Sequence, residues 1–437
     1  MKVLPSFNNL LQAAAGCGRT GQLTFKMIAE YFENILTAHE KGKKLALGTF
    51  LSDKTIYFGF DNLVTMWVEP IGALTNIAFR QGSTEYYDYT VECGLTETSC
   101  AGQRALSGAA LAGLAQKPDF VVLGSSGPCD TNANAVQFFS EYAHIPMLTL
   151  DTPATLVGER EKAFHFKDMK ALVAEVEKLV GERINESRLR EYLNEKKKQD
   201  EMMNELYDMV MMRPSPVPAV YHLFGAVAGM IAPGNKTATE LFQSMLEDCR
   251  KNLRAGRAGT YSGKERTRLF MFYIDHYSTD LQFWDWLMAN DISTAPSLPF
   301  TLWSPGVNYA SEVPEHSYNI DTSSLDTMIN SCAEINSRRP MNKQLRGDLG
   351  DSTQWLSDSK RMCKLFKPDC LVYTGTLGCR NGWGANKAAQ RELERLGYPT
   401  LLAFVDCFDP RVVSWESYRD SIIEFMKVRK IPSVFND

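Results

Sequence analysis

A thirteen-residue pattern occurs twice in this chain, at positions 250 apart. Each copy reads Lys-Pro-Asp, then an apolar stretch, then a loop of small residues that ends in cysteine, at 117–129 and again at 367–379. A helical segment and a proline-containing turn into a second apolar stretch follow both copies. The repeat indicates two related α/β units, and 437 residues at about 150 per domain leave room for both.

The apolar stretches predict strands of parallel sheets. The first, 119–124, is continuous and apolar, as a strand buried on both faces should be. With the helix predicted over 135–142 and the strand over 145–150, it makes a βαβ unit, which belongs to a parallel sheet. In the second half the same pattern predicts strands at 268–274, 371–374 and 398–405.

A charged, helix-rich region separates the two α/β halves. Long helices are predicted over 171–198 and 199–212, and a proline-rich break at 213–218 ends the second because proline removes backbone donors. We therefore expect three parts. They are the N-terminal helices with a first α/β domain (1–165), a helical region (166–265) and a second α/β domain (266–437).

Composition and short motifs exclude several classes of protein. A net charge of −5 and an apolar fraction of 44% give neither a nucleic-acid-binding footprint nor a disordered chain. No apolar run reaches the about 18 residues of a membrane span, and we expect a cytoplasmic protein with reduced thiols. The ATP-binding pattern GxxxxGK[ST] does not occur in the sequence.

The repeated cysteines point to a ligand site. Cys129 and Cys379 each follow the carboxyl end of a predicted parallel strand, where ligands of such sheets bind. Each is predicted to start a helix, whose N-terminus stabilises a thiolate. The alternative is that each is a small apolar residue that fills a loop. A third thiolate is expected at Cys100, in preference to Cys93, because Cys100 also precedes a small-residue helix.

Dispersed single cysteines suit an iron–sulfur cluster held between domains. No CxxC pair occurs, so a zinc ribbon or a two-cluster ferredoxin pattern is excluded. Three thiolates on a cubane would leave one iron without a protein sulfur ligand, an arrangement open to water or substrate.

These cysteine environments resemble the family of 2-hydroxyacyl-CoA dehydratases and ATP-dependent (class I) benzoyl-CoA reductases. The likeness is greatest to the larger cluster-binding subunit of benzoyl-CoA reductase, over about residues 48–427. Besides the two repeated cysteine loops, it is carried by 188–193, 213–216, Val405-Asp406 and Asp409-Pro-Arg411.

The resemblance implies two flavodoxin-like domains with a helical region between them. It implies a [4Fe–4S] cluster on Cys100, Cys129 and Cys379, in an oxidoreductase that reduces an aromatic acyl-CoA at low potential under anaerobic conditions. It also implies a homologous second cluster-bearing subunit and an ATP-hydrolysing iron–sulfur activator reduced by ferredoxin.

Three alternatives stay open at this point. In the first, the enzyme is a lyase, a 2-hydroxyacyl-CoA dehydratase that eliminates water through a ketyl radical. In the second, the chain is an electron-transfer subunit without a substrate site. In the third, it carries a double-cubane cluster. The last is suggested by further cysteines outside the three-cysteine pattern, which are Cys93, Cys332, Cys363, Cys370 and Cys407.

Other candidate residues are weaker. Proton donors near the cysteines are sought among Glu69, Glu92, Glu97 and His222, although a surface or structural role is the expectation for each. Aromatic residues are expected to pack in the core rather than to wall an acyl pocket: Trp67, Tyr86, Tyr87, Trp284 and Trp286. The run 196–198, three lysines, is expected to be a solvated helix face.

Overall fold

The structure is a computed structural model of the full chain. It describes residues 18–49, 54–67, 84–111, 116–124, 129–153, 158–272, 281–297, 309, 317–338, 354–375, 379, 384, 386–406, 409 and 411–436.

The first half of the chain forms a four-stranded parallel sheet in the order β2-β1-β3-β4. The strands are β1 (Lys44–Gly48), β2 (Leu63–Trp67), β3 (Phe120–Gly124) and β4 (Met147–Leu150). Every residue of β3 is buried, because this strand lies between two others and carries only apolar side chains and glycine. The strand order is that of flavodoxin-like doubly wound sheets.

The second half repeats this topology in a sheet of order β6-β5-β7-β8, again parallel throughout. Its strands are β5 (Thr267–Met271), β6 (Ile292–Ala295), β7 (Cys370–Gly375) and β8 (Thr400–Phe404). The repeated sequence pattern thus provides the third strand of each sheet. In register, Phe120 of β3 lies opposite Ala46, and Cys370 of β7 lies opposite Leu269. The prediction of two flavodoxin-like parallel-sheet units is confirmed.

Helices surround the sheets and fill the region between them. In chain order they are α1 (Gly18–Thr37), α2 (Thr84–Glu92), α3 (Ala101–Leu111), α4 (Asp130–Ala143), α5 (Glu159–Val180), α6 (Glu186–Met211), α7 (Val220–Ile231), α8 (Lys236–Arg254), α9 (Leu281–Ala289), α10 (Leu325–Ser337), α11 (Gln354–Phe366), α12 (Asn386–Arg395) and α13 (Trp415–Val428).

Between the two sheets, α6 and α8 pack together and α1 packs on α8. Asn185 and Asn235 cap α6 and α8 by accepting backbone N–H groups, which satisfies donors that a helix start leaves open. Helix α7 is buried over most of its length within this bundle. No helix in the described part of the chain is both long enough and apolar enough to cross a membrane.

The structure corrects three sequence predictions about elements. Strands β2 and β6 were not predicted, and both are four or five residues long. The break predicted between 198 and 199 lies instead at Gly181, which ends α5 in the left-handed conformation with φ of 81°, and α6 runs unbroken across 198–199. Whether 1–165, 166–265 and 266–437 behave as separate domains stays a prediction.

Candidate functional site

Cys129 and Cys100 occupy equivalent positions at the beginnings of neighbouring helices. Cys129 follows β3 and is the N-cap of α4, where its carbonyl accepts the N–H of Ala133 at 3.2 Å. The Cys100 carbonyl accepts the N–H of Arg104 at 3.1 Å, at the start of α3. Both residues are half-buried, and α3 packs against α4. Both thiols therefore lie where a helix dipole favours an anion.

Cys379 lies beyond the carboxyl end of β7, four residues after Gly375, and is half-buried against the core. The residue is close enough to Tyr373 for its charge to raise the pKa of that phenol, although burial of Tyr373 is the larger cause. Helix α12 begins seven residues after Cys379, at Asn386. Residues 380–383 and 385 lie outside the described residues, so a helix that starts directly at this cysteine stays a prediction.

A buried ion pair connects the two sheet units next to Cys100. Arg104, one turn into α3, places Nη2 3.8 Å from Oδ2 of Asp409, and both side chains are nearly inaccessible to solvent. Asp409 follows β8, whose neighbour β7 leads to Cys379. Burial raises the pKa of Asp409, but the hydrogen bonds and charge of Arg411 and the charge of Arg104 outweigh it and hold that pKa below its usual value.

Cys93 follows the end of α2 and contacts α4 far from Cys129. Its Sγ donates to the hydroxyl of Tyr142 at 3.6 Å, and the next residue, Gly94, faces the ring of Phe138. Phe138 and Tyr142 are about 14 and 20 Å along the helix axis from Cys129, at 1.5 Å per residue. A cubane is only a few ångströms across, so this position favours Cys100 over Cys93 as the companion of Cys129.

Four other cysteines are sealed in the interior: Cys249, Cys332, Cys363 and Cys370. Burial raises the pKa of Cys363 to about 12, and it raises the pKa of Cys249 and Cys370 as well. Burial disfavours the thiolate that a metal ligand must be. Cys332, Cys363 and Cys370 are therefore poor candidates for a second cubane, whereas Cys407 lies outside the described residues.

The described residues contain no group of three or more His, Cys, Asp or Glu side chains placed to hold a metal ion. Convergence of Cys100, Cys129 and Cys379 on one cluster thus stays a prediction. What the structure does provide is their chemistry and position: three half-buried sulfur donors, each beyond a strand end or at a helix start.

The candidate proton donors are not equivalent. Glu92 and Glu97 are exposed, and Glu69 lies outside the described residues. His222 is buried in α7 and stacks on Tyr207 with ring centroids 6.3 Å apart. Burial lowers the pKa of His222 to about 4, so the imidazole is neutral near pH 7 and is poorly suited to be a general acid.

The aromatic candidates belong mostly to the core, as expected. Trp67, Tyr87 and Trp284 are at most 2% exposed. Trp286 stacks on Phe435 at a centroid distance of 5.9 Å. Tyr86 is only partly buried.

The expectation of a solvated lysine face is wrong for Lys196. Its ammonium is buried and donates to both carboxylate oxygens of Asp200, at 3.0 and 2.8 Å, and to the hydroxyl of Tyr318 at 3.3 Å. An α-helix has 3.6 residues per turn, so three adjacent side chains spread over more than half of its circumference, and Lys196 is the one on the buried side. The residue is committed to a structural network in the helical region.

Comparison with known proteins identifies the family. The sequence matches the family described as 2-hydroxyglutaryl-CoA dehydratase, D-component, over residues 56–428. The chain belongs to this family. No curated protein matches it. The matched region includes strands β2 to β8 and all three candidate cysteines, whereas β1 lies before it.

As a member of the 2-hydroxyglutaryl-CoA dehydratase family, the chain is a subunit of a radical enzyme of the 2-hydroxyacyl-CoA dehydratase type. The ion pair between Arg104 and Asp409 is the element of the site that sequence reasoning missed. Asp409-Pro-Arg411 was noticed as part of the resemblance, but no signal in the sequence connected it to Arg104.

Proposed function

We propose that this chain holds a [4Fe–4S] cluster on Cys100, Cys129 and Cys379, as the cluster-bearing subunit of a benzoyl-CoA reductase-type enzyme that reduces a CoA thioester by one electron. The observation that carries the proposal is the placement of these three cysteines in a member of this family. Each is half-buried at a strand end or a helix start, whereas four other cysteines are sealed.

The donor set fits an iron–sulfur cluster. Soft thiolate ligands select iron–sulfur clusters, Cu(I) and zinc, and the absence of a CxxC pair from the sequence weighs against a structural zinc site. Cys100 and Cys129 lie at the N-termini of α3 and α4, where a helix dipole interacts favourably with a bound anionic group. When bound, a cluster with one open iron would supply single electrons at low potential to a thioester carbonyl.

The residues of the chain have two tasks in this proposal. The two sheets hold the ligands on separate rigid units, and the buried contact between Arg104 and Asp409 excludes water beside the Cys100 helix. Glu97, three residues before Cys100, and Glu92 stay the described candidates for delivering a proton, and both are exposed unless substrate or a partner covers them.

The proposal includes partners. A homologous second cluster-bearing subunit would complete the enzyme, and an ATP-hydrolysing iron–sulfur activator, reduced by ferredoxin, would deliver the electron. The sequence contains no P-loop, which is consistent with nucleotide chemistry on another protein.

A second candidate function is a 2-hydroxyacyl-CoA dehydratase. It is favoured by the description of the matched family, a dehydratase component. In this reaction the ketyl radical anion formed from the thioester loses hydroxide from the neighbouring carbon. In the reductase reaction, an aromatic ketyl is instead protonated and reduced again.

Anaerobic purification with iron and sulfide determination tests the cluster. We expect about four iron and four sulfide per wild-type chain. Replacing Cys100, Cys129 or Cys379 with Ala is expected to remove most of the iron, while Cys93→Ala, the matched half-buried control, keeps it. Wild-type iron content in the Cys379→Ala variant would overturn the ligand assignment.

An assay with acyl-CoA substrates then decides the reaction. Reconstituted with its partner subunit, activator and ATP, the enzyme is given an aromatic acyl-CoA or a 2-hydroxyacyl-CoA. Loss of aromatic absorbance supports the reductase, and appearance of the enoyl-CoA supports the dehydratase. Iron without turnover of either class would instead indicate an electron-transfer subunit.

A further inference from the structure

Two groups of one residue, the backbone N–H and the side chain of Arg104, hold the Cys100 turn. Arg104 donates its backbone N–H to the Cys100 carbonyl at 3.1 Å, and its side-chain Nε donates to the Ser99 carbonyl at 3.0 Å. The carbonyl groups of Ser99 and Cys100 thus both accept hydrogen bonds from Arg104. Because Arg104 is only 7% exposed, these bonds are shielded from competing water.

The same guanidinium reaches the other half of the molecule. Its Nη2 lies 3.8 Å from Oδ2 of Asp409, a carboxylate that follows β8 in the second sheet. Asp409 is itself fixed, since its N–H donates to Asp406 at 3.0 Å and Arg411 donates to its carboxylate at 2.9 and 2.8 Å. The contact therefore ends on a rigid point of the second unit.

Tyr87 packs against both arginines that contact Asp409. Its ring is fully buried, with the guanidinium carbon of Arg104 at 5.4 Å and that of Arg411 at 5.9 Å from the ring centroid. Arg411 also pairs with Asp88 at 3.0 Å, so α2 is held by the same residues. Helix α2 in turn lies so close to α3 that a Cβ at Gly108 would meet the Tyr86 carbonyl at 2.0 Å.

The second-sheet end of this contact is adjacent to the strand that leads to Cys379. The N–H of Val405, just past β8, donates to the carbonyl of Gly375 at the end of β7, at 3.3 Å. Cys379 is four residues beyond Gly375, so the segment spans at most about 14 Å. A path of fixed contacts thus runs from the Cys100 turn through Asp409 to the origin of the Cys379 loop.

We infer that Arg104 is a positioning residue that sets the spacing between Cys100 of the first unit and Cys379 of the second. This inference rests on the proposed function, in which both sulfurs bind one cluster. Arg104 carries this task because it alone joins the Ser99–Cys100 turn to Asp409 among the described contacts. A lysine would keep a charge for Asp409 but has no planar fork to hold the Ser99 carbonyl as well.

The first experiment measures the spacing without iron. Nitroxide labels are attached to Cys100 and Cys379 in the apo full-length chain, and pulsed EPR gives the distance distribution. The other half-buried cysteines, Cys93 and Cys129, are changed to Ser in this background, together with Cys17 and Cys407, which lie outside the described residues. We expect a narrow distribution in the parent, and one at least twofold broader in Arg104→Gln and in Asp409→Asn. The double variant should be no broader than either single one.

Arg338→Gln is the matched control, because Arg338 is equally buried (5% exposed) but lies at the end of α10. It is expected to lower stability while leaving the label distance unchanged. If Arg104→Gln keeps the parent distribution while losing as much stability as Arg338→Gln, the ion pair is structural only and the inference is overturned.

The second experiment uses the iron-loaded chain. Arg104→Gln is expected to retain less than half of the wild-type iron or to change the EPR spectrum of the reduced cluster, and Arg104→Lys to recover part of the loss. Wild-type iron content and spectrum in Arg104→Gln would contradict the inference. Absence of iron from the wild type would refute the proposed function, whereas the label distances would still decide the role of Arg104.

Discussion

Asp369 accepts the backbone N–H of Arg268 at 2.7 Å, and thereby joins the residue before β7 to the neighbouring strand β5. Asp119 does the same in the first sheet, where it accepts the N–H of Leu45 at 2.8 Å. Both are the Asp of the repeated Lys-Pro-Asp pattern. Their backbone N–H groups donate in equivalent ways too, to the carbonyls of Leu45 and Arg268. The sequence repeat is therefore a repeated strand junction.

We predict that Asp119→Asn and Asp369→Asn destabilise their own sheet units. Each change removes the negative charge from a side chain that accepts a backbone N–H. A hydrogen bond to a charged group contributes about 1.5–3 kcal/mol to the free energy of unfolding. The loss should appear as a lower free energy of unfolding in urea and as faster amide exchange at Leu45 or Arg268. Glu240→Gln, at an exposed position on α8, is the control. Unchanged exchange at both amides would contradict the prediction.

The acid stability of the first unit should depend on Asp119. Burial raises the pKa of this carboxyl, but hydrogen bonds from Lys44, the Leu45 N–H and His39 outweigh it, so the folded-state pKa is below the usual value. The stabilisation is present above the unfolded pKa of about 3.9 and is lost as the pH falls through the folded value. Urea unfolding between pH 5 and pH 2 should show a shallower decline in Asp119→Asn. An identical decline would show that other carboxylates cause it.

How far the fold is predictable from sequence depends on how apolar each strand is. The third strand of each sheet, β3 and β7, was predicted because its run of apolar residues is uninterrupted. Strand β6 was missed because its buried side chains include Ser293 and Thr294, which hydropathy assigns to the surface. Tertiary packing decides whether such hydroxyl side chains are buried, and the local sequence pattern carries no information about that packing.

The same limit applies to the site. The half-buried cysteines were recognised because a repeat and a strand–loop–helix order placed them at a ligand-binding edge. The partner of Arg104 was not recognisable, since Asp409 belongs to the other sheet unit. Lys196 is an intermediate case. Its spacing of four residues from Asp200 predicts an ion pair on one helix face, but the sequence does not show that this pair is buried.

The Lys196–Asp200 pair should behave as a buried ion pair. Both side chains are at most 7% exposed, so Lys196→Met or Asp200→Asn leaves a buried group without its partner and should cost about 3–5 kcal/mol. The double variant Lys196→Met/Asp200→Asn should lose less than the sum of the single changes. Lys198→Met, which removes the pair between an exposed lysine and the mostly buried Glu195 on the same helix, should cost no more than about 1 kcal/mol. Additive losses in the urea unfolding series would contradict a coupled pair.

His222 should make the folded chain less stable as the pH falls below neutrality. Its folded pKa is about 4, because burial disfavours the imidazolium. Above about pH 6.5 both states are neutral; below it the unfolded state gains a proton that the folded state rejects until the pH nears 4. The accumulated loss is roughly 3 kcal/mol. His222→Gln should remove this part of the pH dependence in urea unfolding, and the His222 ring resonance should titrate near pH 4. A midpoint close to 6.5 would refute the burial argument.

Thiol labelling should separate the half-buried cysteines from the sealed ones. The thiolate is the reactive form, and burial raises the pKa of Cys363 to about 12 while also preventing access. In the apo chain at pH 7.5, a maleimide should modify Cys93, Cys100, Cys129 and Cys379 within minutes. Cys249, Cys332, Cys363 and Cys370 should react only after denaturation. Peptide mass spectrometry of samples labelled before and after urea treatment measures both groups. Rapid native labelling of Cys370, which begins β7 and is fully buried, would mean that the second sheet opens far more readily than its packing indicates.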